Sequence, residues 1–322
     1  MTSAIQSVNC IVAGGSVDGM AGTTAFMRHI GNRNIAPIFT LPAQVKSIDP
    51  SQWAPNSKVA FIGLAVNNDP SGPQLTIDFV KKIYAAGHTI LVIADEHGKQ
   101  AWNGVLDACG HGANELAIKP KDREKYSSTC SILSKKLEES IDAHTRELLD
   151  AGIQGDKMVF DTRFGKIFHE ATGSNIQDNK RREYVVKHMV DHETPDGTIQ
   201  SWMNEYAEME ANQSKILNAP QDLRDGITLY DCTVGRHNAT SIFNVAYKKS
   251  PFAVLINTNV FFKGKMQMGA SIGTDKKDFD VLKIVKQAGI DAYGFTAKAN
   301  FELKDLGAAV EAIRKAISAN QV

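Results

Sequence analysis

The sequence predicts an α/β protein of two domains: an N-terminal one built on a mainly parallel sheet with a helical extension, and a smaller C-terminal α/β domain. Three observations predict this. Over residues 8–95 short β-rich runs alternate with helically spaced apolar patterns, the mark of βαβ units. Over residues 127–213 the pattern becomes mostly helical and highly charged. Residues 217–226 (LNAPQDLRDG) then gather Pro, Asn, Asp and Gly between two patterned regions, as a linker does. The domains are therefore expected at 1–216 and 227–322, with 217–226 between them.

In the first domain, residues 8–13 (VNCIVA), 36–41 (APIFTL), 58–64 (KVAFIGL) and 89–95 (TILVIAD) read as strands. Residues 20–30 and 74–86 carry helical spacing, and Gly87 supplies a C-terminal stop. In the helical stretch, residues 151–156 (AGIQGD) are expected as a break. In the second domain, 227–232, 252–257, 265–272 and 292–297 read as strands, and 239–247, 277–288 and 306–317 as helices. Ligands of open parallel sheets bind beyond the carboxyl ends of the strands. The loops that leave those ends hold Gly14-Gly15-Ser16-Val17-Asp18-Gly19, Asn67-Asn68-Asp69 and Glu96-His97-Gly98, so three loops should converge on one crevice.

Composition narrows the function. A chain of 322 residues with 43% hydrophobic content can bury a sizeable core without staples. Its 36 basic residues balance 36 acidic ones, which excludes a global positive field that would hold nucleic acid non-specifically. Cys10, Cys109, Cys130 and Cys232 lie far apart without ligand spacing, which argues against a zinc knuckle or a disulfide framework and for a reducing cytoplasm. Neither a signal segment nor an apolar run of about 18 residues is present, so no membrane association is expected.

Two clusters carry chemistry. Asp18 either projects a carboxylate towards a metal or caps the helix that starts near Met20. A dinucleotide fingerprint is disfavoured, because GGSVDG does not have the G-x-G-x-x-G spacing and the second strand ends without an acid. Asp95-Glu96-His97-Gly98 follows the apolar run TILVIA directly and brings two carboxylates and an imidazole to a strand end. That set suits Mn²⁺, Mg²⁺ or Zn²⁺, or proton transfer to a leaving group; the alternative is a solvated turn. The basic run 179–182 (NKRR) reads as a solvated helix face.

In the order of these marks the chain resembles the DHH phosphoesterases, a family that includes nanoRNases, single-strand exonucleases, cyclic-dinucleotide phosphodiesterases and exopolyphosphatase-like proteins. Asp18-Gly19 matches the end of the first family motif, Gly63 stands where a second strand-end Asp belongs, Asp95-Glu96-His97 replaces Asp-His-His, and Ala151-Gly152-Ile153-Gln154-Gly155-Asp156 matches the fourth motif. The C-terminal part is similar, more loosely, to the associated DHHA1 domain, without its glycine-histidine loop.

The resemblance implies a two-metal phosphoesterase, but the positions that would serve the first metal here are Gly14 or Val12, Ser16 and Gly63. One site remains: Asp18, Glu96 and Asp156 would hold one Mn²⁺ or Mg²⁺, with His97 as proton donor or phosphate contact and Asp95 orienting a neighbour. Ser16, Asn67, Asn68, Arg236 and His237 are the candidate substrate contacts. The expected ligand, in the cleft between domains, is a small phosphate-containing molecule or a short oligonucleotide, bound or slowly hydrolysed by the chain, which could also form a homodimer. The competing expectation is a catalytically inactive binding or assembly protein on the same scaffold.

Overall fold

After a short helix α1 (Thr2–Gln6), the uninterrupted apolar run Cys10–Gly14 forms the fully buried strand β1. Helix α2 (Val17–Ile30), β2 (Ile38–Thr40), β3 (Lys58–Ile62), α3 (Gly72–Ala85), β4 (Thr89–Ala94) and α4 (Lys99–Ala108) follow. The strands pair in the order β2-β1-β3-β4, all parallel. This computed structural model describes residues 2–66, 72–138, 141–263 and 265–320.

Parallel strands need crossover connections, which place helices on both faces and leave the strands apolar on both sides. The alternation of side chains sorts them in β1 and β3, and in β4 with one shift of register between Ile90 and Val92. Ile11 and Ala13, Ala60 and Ile62, and Val92 and Ala94 face one core, shared with α2 and the helices α5 (Thr129–Leu137), α6 (Ala143–Asp156), α7 (Arg163–Gly173) and α8 (Asn179–Met189). Cys10, Val12, Val59, Phe61, Ile90 and Ile93 face a second core with α3 and α4. The mainly parallel first domain with its helical extension is therefore observed.

One expectation fails. Residues 151–156 do not break the helical stretch but form the last turns of α6. Their glycines serve packing rather than a turn: a Cβ on Gly152 would stand 2.2 Å from Cys130 Sγ, and one on Gly155 would stand 2.7 Å from Val17 Cγ1. Glycine at these positions lets α6 close on α5 and α2, and the helix tolerates it because that packing offsets the roughly 1 kcal/mol each glycine costs. The strand expected at 58–64 also ends early, because Gly63 leaves the sheet with φ +59°.

The chain divides into two compact units, residues 1–204 and 205–322, and the division falls inside helix α9 (Gly197–Leu217). The second unit contains β5 (Gln221–Asp222), β6 (Ile227–Asp231), α10 (Ala239–Ala246), β7 (Phe252–Phe262), β8 (Lys265–Thr274), α11 (Val281–Gln287), β9 (Tyr293–Phe295), β10 (Lys298–Phe301) and α12 (Leu306–Asn320). Its sheet runs β5-β6-β7-β8-β10-β9, parallel between β6 and β7 and antiparallel elsewhere. Strand β7 passes the expected end at Asn257, which takes φ +54° at an irregularity between Ile256 and Thr258, and the strand then continues against β8. Residues 217–226 lie inside this unit and include β5. No helix among the described residues is long and apolar enough to cross a membrane, and all four cysteines are free.

Candidate metal centre

The site is assembled where β1 and β4 end and where α5 and α6 meet α2. At the end of β1, Ser16 caps α2, its Oγ accepting from the Gly19 N–H at 3.0 Å. Asp18 is therefore not the cap of its own helix. It is buried, and its carboxylate instead receives the first N–H groups of α5: Oδ2 accepts from Thr129 N and Oδ1 from Cys130 N, each at 2.9 Å. Burial pushes its carboxyl pKa up, against the pull of those hydrogen bonds and with a further push from Asp156.

At the end of β4, Asp95 and Glu96 are both fully buried and His97 emerges half-exposed. Asp95 accepts from Trp102 Nε1 at 3.0 Å and pairs with His97 Nδ1 at 2.8 Å. That pair fixes the imidazole, leaving Nε2 as the ring nitrogen not used in it, and it raises the His97 pKa against the effect of burial. Glu96 Oε2 accepts from Thr129 Oγ1 at 2.7 Å. Its other oxygen, Oε1, is buried without a hydrogen-bond partner. Burial, reinforced by Asp18, pushes the Glu96 pKa up to about 7.

Asp156, the last residue of α6, accepts from Arg123 at 2.7 Å. One carboxylate oxygen from each of Asp18, Glu96 and Asp156 falls within a mutual 4.8 Å. An octahedral Mg²⁺ or Mn²⁺ with ligands at about 2.1 Å spaces its oxygens by roughly 3 to 4 Å, so a small contraction would seat one ion on this trio. The all-oxygen donors fit such an ion, as does Glu96 Oε1, which accepts no hydrogen bond and has only His97 Nδ1 at 3.2 Å and Arg123 at 3.7 Å beside it.

Ligand atoms of Asp95, Glu96 and His97 also lie within 4.8 Å of one another, but a side chain at position 63 would be crowded and strained. A Cβ on Gly63 would meet Gly19 Cα at 3.1 Å and Thr129 Oγ1 at 3.4 Å, from a backbone conformation that side chains rarely adopt. The position where the family's pattern has an acid is closed by α2 packed on β3. Gly14 is equally constrained, since a Cβ there would stand 2.1 Å from the Gly63 carbonyl oxygen.

The remaining candidates divide. Ser16 is exposed, with its hydroxyl engaged in the cap. Asn67 and Asn68 lie outside the described residues. Arg236 and His237 belong to the second unit, where Arg236 pairs with Glu205 at 3.1 Å and His237 meets Gly235 O and Thr258 Oγ1, each at 2.8 Å. Sequence reasoning missed Arg123, Thr129 and Trp102. Arg123 sits in KPKDREKY, a charged loop with no mark beyond its composition, and Trp102 reads as ordinary helix core; the capping serines and threonines before α5 were the one available signal.

No family model matches the chain, and no curated protein matches its sequence. Solved structures do. The pGpG-specific phosphodiesterase PggH from Vibrio cholerae is 12% identical with a TM-score of 0.55, over 96% of this chain and 99% of that one. A manganese-bound exonuclease RecJ is 8% identical with a TM-score of 0.52, over 98% of this chain and 94% of that one. Both are DHH-family phosphoesterases, and at these identities the likeness is one of architecture: the chain has a divergent DHH-type fold with a DHHA1-like second sheet.

Proposed function

We propose that this chain binds one divalent cation, Mn²⁺ or Mg²⁺, through Asp18, Glu96 and Asp156 and uses it to hold a phosphate-containing ligand, a nucleotide, short oligonucleotide or polyphosphate, which it hydrolyses slowly. The observation that carries this reading is that carboxylate oxygens of Asp18, Glu96 and Asp156 lie within 4.8 Å of one another, with the buried Glu96 Oε1 accepting no hydrogen bond although His97 Nδ1 lies 3.2 Å away. Burying such an atom costs free energy unless something binds it. The likeness in fold to a phosphodiesterase and an exonuclease supports the ligand class.

A divalent ion there would polarise a phosphoryl oxygen and lower the pKa of bound water. The chain's own groups do the rest. Glu96 and Asp156 supply oxygens; Asp18 supplies charge while its oxygens anchor α5. His97, oriented by Asp95, is placed to donate a proton to a phosphate oxygen or a leaving group. With glycine at position 63 the chain has no bridging acid there, which supports a single ion and turnover well below that of a two-ion enzyme, although Asp95, Glu96 and His97 also lie within ligand distance of one another.

A second reading, a non-catalytic phosphate-ligand protein, is favoured by Arg123, whose guanidinium already lies on Asp156 and near Glu96. Metal analysis of purified chain with Mn²⁺, together with hydrolysis assays on a linear dinucleotide, a short oligonucleotide and polyphosphate, separates them. We expect one Mn²⁺ per chain and slow hydrolysis that Glu96→Gln abolishes. One ion without hydrolysis selects the second reading, whereas zero or two ions would sink the single-ion site.

A further inference from the structure

We infer that Arg123 is a built-in cation of the acidic site: its guanidinium occupies the carboxylates that a divalent ion needs, and the ion binds only by displacing it. The inference rests on the single-ion reading above and adds what opposes that ion.

The geometry places the arginine in competition. One guanidinium nitrogen of Arg123 lies 2.7 Å from Asp156 Oδ2, and the other lies 3.7 Å from Glu96 Oε1, the same oxygen that has no hydrogen-bond partner. Two of the three acids of the trio thus face one organic cation. A guanidinium donates hydrogen bonds outward from a planar fork, whereas a metal ion must approach the lone pairs of the same oxygens at about 2.1 Å. Both positive charges cannot occupy that face of Glu96 and Asp156 without strong repulsion in a partly desolvated site.

The loop is built to hold this cation in place while leaving its head free to move. The backbone beside it is tied down: Lys121 N–H donates to the Asp95 carbonyl at 3.0 Å, and the Lys125 and Tyr126 N–H groups close a turn on the Asp122 carbonyl. These bonds fix the Arg123 Cα next to the end of β4. The side chain is 51% exposed, and its only ion-pair partners among the described residues are Glu96 and Asp156. A long flexible stem on a fixed base can swing into solvent without disturbing the fold. The His97 imidazole also touches the trio, with Nδ1 3.2 Å from Glu96 Oε1, but it is held by Asp95 and so cannot replace the arginine on Asp156.

Two consequences follow. In the metal-free chain Arg123 offsets the repulsion among Asp18, Glu96 and Asp156. In the loaded chain that favourable contact is lost, so the ion binds more weakly than the bare carboxylates would hold it. Arg123 sets the cation concentration at which the site fills.

The test is calorimetric titration of the full-length chain with MnCl₂ alone, comparing wild type, Arg123→Gln, Arg123→Lys and Arg33→Gln. Arg33 pairs with Asp191, outside the trio, and controls for the loss of one positive charge. Circular dichroism verifies that each variant folds. We expect Arg123→Gln to bind Mn²⁺ about threefold to fivefold more tightly than wild type, the scale of one lost competing exposed ion pair, with Arg123→Lys in between and Arg33→Gln unchanged. Equal affinity in wild type and Arg123→Gln would overturn the inference while leaving the single-ion site standing. Failure of Arg123→Gln itself to bind Mn²⁺ at millimolar concentration would overturn both.

Discussion

Asp18 shows how one side chain can serve architecture and chemistry together. Its two oxygens receive the N–H groups of Thr129 and Cys130, which would otherwise be buried donors at the open end of α5. Orphaning such donors costs about 1–3 kcal/mol each. Asp18→Ala should therefore lower the stability of the metal-free chain by roughly 2 kcal/mol or more in urea denaturation, and Asp18→Asn, which keeps one acceptor oxygen, by less. An unchanged midpoint for Asp18→Ala without metal would reduce the residue to an ion ligand. Asp95 has a similar double use, accepting from Trp102 on one side and orienting His97 on the other.

At the scale of elements, the contact between α6 and α7 contains a pH-sensitive group. His144 of α6 is buried and stacks on Phe164 of α7 with ring centroids 5.0 Å apart, and its Nε2 has no hydrogen-bond partner. Burial lowers its pKa from the ordinary 6.5; Arg28 and Arg163 push the same way, and Glu193 and Asp142 push against it. Below pH 6.5 the unfolded chain binds a proton there that the folded chain resists. Stability from this group is complete above 6.5 and is lost as the pH falls towards the lower folded value. His144→Phe should flatten the stability profile between pH 7 and 5 in thermal denaturation; an identical slope in both proteins would remove His144 as its source. Nearby, Asp142 caps α6 through the Thr145 N–H and pairs with Arg28, which holds its carboxyl below the usual range.

At the scale of the molecule, each unit has cores of its own. The buried apolar clusters of the first unit lie at or before Met203, and those of the second begin at Ile216. Trp53, Trp102 and Trp202 all belong to the first unit. Tryptophan fluorescence therefore reports its unfolding alone, while far-UV circular dichroism reports both units. We expect the two urea transitions to have different midpoints; superimposable curves would mean that the units unfold as one. The equal numbers of basic and acidic residues give the chain no net charge with which to attract polyanions at long range.

The strands of the first sheet were legible in the sequence because strands buried on both faces need continuous apolar runs, and those runs stand out between polar loops. The acids at their ends were legible for a related reason, since Asp95 and Glu96 follow an apolar strand with no intervening turn residue. Other features were decided only by contacts between distant parts of the chain. Asp18 meets its partners 111 and 112 residues later, and Arg123 reaches Asp156 across 33 residues. The AGIQGD segment reads locally as a break because isolated glycines favour one; it is helical because Cys130 and Val17 occupy the space where side chains would stand. Strand β10 alternates polar and apolar residues over only four positions, too short a run to be told from a loop, so its pairing with β8 and β9 decides it. The sequence by itself thus determined the layers of the first domain and the presence of an acidic strand-end site, because both depend on local apolar and charge pattern. The tertiary structure decided what surrounds those acids, crowding position 63 against Gly19 and Thr129 and bringing Arg123 onto Asp156, because both depend on which segments pack together.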